Sequence, residues 1–302
     1  MQLGMVGLGR MGGNMLRRLL ERGHEPVGYD RAHAAREEAR SRGAHTADGL
    51  AELARMLRPP RAVWMMVPHG APVEATLEGL VPHLEAGDLI VDGGNSRWSD
   101  AAPRAERLAG RGIAFLDAGT SGGVWGLERG YCLMVGGPED AYRRLEPVLA
   151  ALAQEGGYAR VGPSGAGHFV KMVHNAVEYG MLQAFGEGFE MMHAAPFPLE
   201  LDRVAELWRH GSVVQSWLLD LLAAALARSP ALAEVRGWVE DSGEGRWSLE
   251  YAVANAVPAG VLAQSLFARF ASRQEESFAA KVIAALRREF GGHAVRGSAG
   301  GA

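Results

Sequence analysis

The sequence predicts a doubly wound α/β domain followed by an all-helical region, and three observations lead there. Short apolar runs alternate with amphipathic stretches through the first 163 residues. The segment Gly7-Leu8-Gly9-Arg10-Met11-Gly12 follows the first of these runs directly. From about Pro163 onward, apolar residues recur at helical spacing, with prolines as punctuation.

In chain order, strands are predicted at Leu3–Val6, Glu25–Tyr29, Ala62–Val67, Leu89–Val91, Ile113–Leu116 and Tyr131–Val135. Helices are predicted between them at Met11–Arg22, Ala32–Arg42 and Asp100–Arg111. Short apolar strands alternating with helices argue for a parallel sheet covered on both faces. Further helices are predicted at Gly167–Met192, Leu201–Arg209, Val214–Ala227, Leu249–Ala256, Val261–Ala271 and Gln274–Phe290. The glycine-rich tail is expected to be flexible at its end. The expected domains are 1–163, 164–290 and a tail, 291–302.

Composition narrows the function classes. Of 302 residues, 48% are apolar and 22% charged, the balance of a globular protein. Lys and Arg number 31 against 35 Asp and Glu, a net charge of −4 with no basic block, so no nucleic-acid partner is expected. No apolar run reaches the roughly 18 residues that span a bilayer, so no membrane partner is expected either. The chain opens on a strand rather than a secretory leader, and a cytoplasmic location is expected. Cys132 is the only cysteine, which leaves no disulfide framework and no cysteine-based zinc site.

Gly7, Gly9 and Gly12 form a GxGxxG placed between a predicted strand and a helix. In that context the first glycine serves the turn, the second the approach of a pyrophosphate, and the third close helix–strand packing. The helix N-terminus adds free amides for the phosphates. The first half therefore reads as a Rossmann-type dinucleotide-binding domain. Asp30 ends the second predicted strand, 18 residues after Gly12. A carboxylate there accepts hydrogen bonds from both ribose hydroxyls and repels a 2′-phosphate, so NAD is favoured over NADP, although the adjacent Arg31 softens that exclusion.

Three glycine or proline loops leave later strands: Val67-Pro68-His69-Gly70, Asp92-Gly93-Gly94-Asn95-Ser96 and Gly119-Thr120-Ser121-Gly122-Gly123. Ligands in open α/β sheets bind at the carboxyl ends of strands. Beyond them Lys171, His174, Asn175 and Glu178 stand at i, i+3, i+4 and i+7 of a predicted helix. At about 100° per residue they share one face, presenting an amine, an imidazole, an amide and a carboxylate. Val170, Val173 and Val177 form the apolar flank and are expected to pack. His24, His33, His83 and His210 fit no constellation and read as surface or packing residues. Trp64, Trp208, Trp217 and Trp238 read as core.

Together these segments resemble the 6-phosphogluconate dehydrogenase family, the decarboxylating branch of the β-hydroxyacid dehydrogenases, and most of all its short bacterial form. The resemblance runs through Gly7–Asn14, Asp92–Ser96, Gly119–Gly126, Lys171–Tyr179, Phe267-Ala268-Arg269 and Phe290–His293. It implies that Lys171 takes the C3 hydroxyl proton while hydride leaves to the nicotinamide, a task that needs a neutral amine. It implies that Glu178 protonates the enediol left by loss of CO₂, with His174 and Asn175 holding the substrate. Asn95, Ser121, Gly122 and Gly123 are expected on the sugar acid, and Tyr179 and Arg269 on its phosphate. Arg287 and His293 are expected to reach across from a partner subunit, which implies a homodimer or a dimer-based oligomer. Cofactor contacts are expected at Gly7, Leu8, Gly9, Arg10, Met11, Gly12, Asp30, Val67, Pro68 and Asn95. No metal is required, because a β-keto acid decarboxylates with proton and hydrogen-bond assistance.

The match breaks at Asp241–Trp247. Long members of the family carry a phosphate-binding lysine and threonine where Ser242 and Glu244 stand, leaving Arg246 as an alternative source of charge. Two other readings compete. A non-decarboxylating β-hydroxyacid dehydrogenase shares Gly7–Gly12 and Lys171 but lacks the His174–Glu178 pairing. A non-catalytic NAD-binding protein would be expected to have lost Lys171 or Glu178.

Overall fold

The computed structural model describes residues 1–296. The chain divides into two compact units, one ending at His174 and the other starting at Asn175. Residues 297–302, the end of the tail expected to be flexible, lie outside the described residues.

The first unit runs β1 (Gln2–Val6), α1 (Arg10–Glu21), β2 (Glu25–Tyr29), α2 (His33–Ser41), β3 (His45–Thr46), α3 (Leu50–Met56), β4 (Ala62–Met65) and α4 (Ala71–Leu80). It continues with β5 (Leu89–Asp92), α5 (Ala101–Ala109), β6 (Ala114–Ser121), α6 (Gly126–Arg129), β7 (Tyr131–Gly136), α7 (Glu139–Leu152) and β8 (Ala153–Gly162). The strands form one eight-stranded sheet in the order β3-β2-β1-β4-β5-β6-β7-β8. Alternate residues feed opposite faces. On β4 and β5, Trp64, Leu89 and Val91 join one apolar core, while Val63, Met65 and Ile90 join the other. This double burial is why the strands read as continuous apolar runs.

Two features depart from the sequence reading. The pairs from β3 to β6 are parallel, but β7 runs antiparallel to β6. Its connection holds only a 3₁₀ turn at Gly123–Trp125 and the four-residue α6, too short for the crossover of a dozen or more residues that a parallel return needs. β8 also escapes a periodicity search. It sits at the sheet edge, and its Ala153-Gln154-Glu155-Gly156-Gly157 start has no apolar alternation.

The second unit is helical. α8 (Ala166–His193) enters it from the first, and α9 (Leu201–Trp208), α10 (Trp217–Arg228), α11 (Glu244–Ala254), α12 (Gly260–Ser272) and α13 (Phe278–Gly291) follow. Its core gathers Phe189, Ala205, Leu219, Ala223 and Leu226, with the Trp208 ring edge-on to Phe189 at 5.7 Å. Trp64 is fully buried, but Trp217 and Trp238 are exposed, contrary to expectation. Trp217 opens α10 behind its Ser216 cap, and Trp238 lies in the irregular chain before α11, so neither is enclosed by the helix core. α13 starts four residues later than expected, where the Ser277 hydroxyl accepts from the Ala280 amide.

α8 also buries a different side from the one expected. His168, Met172, Ala176 and Tyr179 are enclosed, whereas Val170, Val173 and Val177 are exposed. The close approach of β6 decides this rotation. A methyl on Gly119 would lie 2.3 Å from the Lys171 Cβ and 2.8 Å from the Gly167 carbonyl. The Gly119→Ala substitution is therefore expected to lower stability by about 1–3 kcal/mol through overpacking. Urea unfolding checks this, and an unchanged midpoint contradicts so close an approach.

Candidate active site

The chain order reverses between β1 and β4, where ligands of open α/β sheets bind. The Gly7 amide donates to the Tyr29 carbonyl at 2.8 Å, tying the turn to β2. The Asp30 carboxylate accepts from the Leu8 amide at 2.7 Å and from the Ala32 amide at 2.8 Å. It thus shapes the glycine turn from just beyond the end of β2. A Cβ on Gly12 would lie 1.9 Å from the Gly7 carbonyl oxygen, whereas one on Gly9 meets nothing within 4 Å. One glycine is required by packing, and the other leaves room. The first turn of α1 holds no acidic residue, so its amides and dipole are available to phosphate. These features fit a dinucleotide. Arg10 is exposed and Met11 half-buried at the same helix start; Val67 is half-buried, and Pro68 and Asn95 are exposed on the neighbouring loops.

Asp92, the last residue of β5, and Asp117, midway along β6, are register partners and fully buried. Two adjacent carboxylates out of water are costly unless paired. Asp117 accepts from the Gly165 amide at 2.7 Å and the His168 amide at 2.8 Å, and so caps α8 from a strand. Asp92 receives Arg104 at 3.3 Å and shapes its own turn by accepting from the Gly94 amide at 3.2 Å. The His168 Nε2 faces the same carboxylate at 3.5 Å, an ion pair rather than a well-directed hydrogen bond. Burial opposes charge on both partners. Even so, His168, Ser96 and Arg104 hold the Asp92 carboxyl below the usual carboxylate range. Asp92, with Asp117 beyond it, raises His168 above the ordinary histidine value despite its burial.

The polar stripe of α8 follows. The Lys171 Nζ lies 3.5 Å from the His174 Nδ1, and the His174 Nε2 lies 3.4 Å from the Ser121 Oγ. The imidazole therefore links the helix amine to the hydroxyl at the end of β6. Gly122 is half-buried and Gly123 exposed beside it. Farther along the helix, in the second unit, the Asn175 Nδ2 donates to the Glu244 Oε1 at 2.6 Å. Glu178 is half-buried on the same helix face.

The buried Tyr179 hydroxyl accepts from the Ser242 amide at 3.2 Å, and the Arg269 guanidinium stacks 3.5 Å from the Tyr179 ring centroid. Arg269 also donates to the Glu240 carbonyl at 2.6 Å. Arg246, the alternative source of charge, forks onto Asp241 at 2.7 and 3.0 Å, and Arg273 joins it at 2.9 Å. Arg287 and His293 are exposed on and after α13, and among the described residues no hydrogen bond joins them to this group. Also among the described residues, no three His, Cys, Asp or Glu side chains are grouped to hold a metal ion.

Sequence reasoning assigned no role to Arg104, Asp117, His168 or Glu244. A signal existed for one of them. His168 lies three residues before Lys171 and extends the polar stripe one turn toward the sheet.

Two family models cover the chain. Residues 2–162 match the NAD binding domain of 6-phosphogluconate dehydrogenase, and residues 167–289 match the 6-phosphogluconate dehydrogenase C-terminal domain. An NAD(+)-dependent, decarboxylating 6-phosphogluconate dehydrogenase of Haloferax volcanii is 44% identical, over 98% of this chain and 98% of its own length. The solved Plasmodium falciparum 6-phosphogluconate dehydrogenase, described with NADP+ and with 6-phosphogluconate, superposes with a TM-score of 0.85 at 26% identity. That match covers all of this chain and 67% of the other. A Mycobacterium tuberculosis 3-hydroxyisobutyrate dehydrogenase has a TM-score of 0.72 at 24% identity over 95% and 99% of the two chains, a likeness of fold alone.

The two glycines of the nucleotide turn separate packing from binding. Gly12→Ala is expected to lower the thermal midpoint sharply, because its methyl meets a backbone oxygen at 1.9 Å. Gly9→Ala is expected to keep the midpoint and to weaken dinucleotide binding at least tenfold, about 1.4 kcal/mol. Calorimetry and a fluorescence titration check both; equal NAD affinity in Gly9→Ala contradicts the approach of pyrophosphate to Gly9.

Proposed function

Because the chain belongs to the 6-phosphogluconate dehydrogenase family, we propose that it oxidatively decarboxylates 6-phosphogluconate to ribulose 5-phosphate and CO₂ with reduction of NAD. The observation that carries this reading is the single face of α8 bearing Lys171, His174, Asn175 and Glu178, with Ser121 within reach of His174. A non-decarboxylating dehydrogenase has no use for both Lys171 and Glu178, and a non-catalytic binder has use for neither.

Gly7–Gly12 and Asp30 would hold NAD, which would supply the hydride acceptor. Lys171 takes the C3 hydroxyl proton as the hydride leaves. The new carbonyl then accepts the electron pair of the C1–C2 bond as CO₂ departs. Glu178 delivers a proton to the enediol carbon that becomes C1 of the pentulose. His174 orients Lys171, and Asn175, held by Glu244, stays directed toward a substrate oxygen. Asn95, Ser121, Gly122 and Gly123 take the carboxylate and hydroxyls. Tyr179 and Arg269 take the phosphate, Arg269 offering the planar fork suited to it. With Arg246 forked on Asp241, Arg269 is the better donor in that group.

The proposed organisation is a cofactor domain at 1–163, a helical substrate domain at 164–290 and a tail from 291. The proposed assembly is a homodimer working in the cytoplasm, with Arg287 and His293 lent to the partner's site. Exposed apolar side chains support the dimer: Val170, Val173 and Val177 on α8, and Phe278, Ile283 and Leu286 on α13. Such faces are costly in water without a partner.

Purified protein given 6-phosphogluconate or gluconate, each with NAD or NADP, is expected to release CO₂ in step with NADH only with the phosphorylated acid. NADH without CO₂ overturns the decarboxylating reading. Lys171→Met is expected to lose at least a thousandfold in kcat with NAD binding retained, and Glu178→Gln about a hundredfold. Near-normal turnover in either removes that residue from the chemistry. Light scattering beside activity tests assembly, since full specific activity in a monomeric fraction contradicts a shared site.

A further inference from the structure

Asp92, Arg104 and His168 form a charged cluster inside the first unit, joined by contacts of 3.3 and 3.5 Å. His168 and Arg104 are almost fully enclosed and Asp92 entirely so. Such an assembly is poorly explained by stability. Burying an ion pair costs several kcal/mol per ion in desolvation, and an apolar replacement often folds as well or better. What the charges do supply is direction. One Asp92 oxygen accepts from the Gly94 amide and so sets the turn that carries Asn95. The other faces the His168 imidazole at 3.5 Å and Arg104 at 3.3 Å. His168 stands one helical turn before Lys171, and its own amide is gripped by Asp117. One short chain of contacts thus joins the loop of Asn95 to the turn of Lys171.

We infer that His168, through its ion pair with Asp92, is a positioning residue that fixes the Gly93–Ser96 turn against the start of α8, so that Asn95 and Lys171 meet one sugar acid. The inference rests on the reading above that these two residues contact the substrate. It assigns His168 the imidazolium form. The charged groups around the ring are Asp92 from β5, Asp117 from β6 and Arg104 from α5, the last also bonded to Glu74 of α4 and to Asp100. A raised histidine pKa contributes stability that is complete below the unfolded value of about 6.5 and is lost as pH climbs through the folded value. The lowered Asp92 carboxyl sets the acid side, its contribution being lost as pH falls through its folded value. The pair is therefore complete between about pH 4 and 6.5 and loosens above that.

The test uses the full-length chain as wild type, His168→Gln, and His168→Gln with Asp92→Asn. His168→Gln is expected to lower kcat/KM for 6-phosphogluconate by roughly ten- to a hundredfold, the scale of a small misplacement of reacting groups. Its NAD affinity is expected to stay within about twofold, well under the tenfold that 1.4 kcal/mol makes. The double variant, with an amide pair in place of the charges, is expected to recover part of the loss. Unchanged kcat/KM in His168→Gln overturns the inference, as does a parallel loss of NAD affinity, which marks a general structural role. The wild type gives a reading that needs no variant to fold. Its thermal midpoint is expected to fall, and its KM for the acid to rise, with a common pH midpoint above 6.5; a flat KM across that interval counts against positioning. A wild type inactive on 6-phosphogluconate overturns the parent reading with the inference, whereas an active wild type beside an unaffected His168→Gln overturns the inference alone.

Discussion

Two carboxylates buried side by side, Asp92 and Asp117, are the constraint on which the reactive edge of the first unit depends. They are register partners on adjacent parallel strands, with neither exposed to water. Left alone they would repel each other and pay full desolvation. Asp117 is satisfied by the amides that open α8, Asp92 by Arg104, His168 and the turn it shapes. Each neutralising contact is also a geometric restraint. The cost of burial is therefore offset only when helix, strand and glycine turn stand in one arrangement.

That arrangement sets the character of the site. Lys171 and His174 sit on a long helix whose entry is capped from the sheet, and Ser121 sits at the end of a strand. Groups that exchange protons belong on rigid elements, because small displacements are expensive in rate. The cofactor side is built differently. There the proposed recognition element is the turn itself, held by Asp30 through two backbone amides, with open space at its middle glycine. In the second unit Glu244 and Tyr179 anchor the irregular chain that leads into α11, fixing Asn175 from one side and Ser242 from the other.

Much of this was legible from residue order. Strand positions, the nucleotide turn and the polar stripe of α8 follow from periods of two and 3.6 and from glycines at fixed offsets. The errors have physical causes. Val170, Val173 and Val177 were expected to be enclosed, yet helical rotation is set by which residues a strand lets approach, and Gly119 admits the Lys171 side. The apolar run of β7 reads as one more parallel strand, although its linker is too short for a crossover. Trp217 and Trp238 read as core by size, and size does not specify whether the fold encloses a ring.

By itself the sequence determined the local matters: element type, the glycine turn, the carboxylate after β2, and the spacing that puts Lys171, His174, Asn175 and Glu178 on one face. These depend on residues within a few positions of one another, where backbone geometry is nearly fixed. Only the tertiary structure decided which distant charges meet. Arg104 with Asp92, Asp117 with the amides of α8, and Glu244 with Asn175 are separated by 12, 48 or more, and 69 residues. Such partners are chosen by sheet order and by the demand that every buried charge be answered. No pattern along the chain encodes that choice, because it depends on which strand ends become neighbours after the sheet has formed.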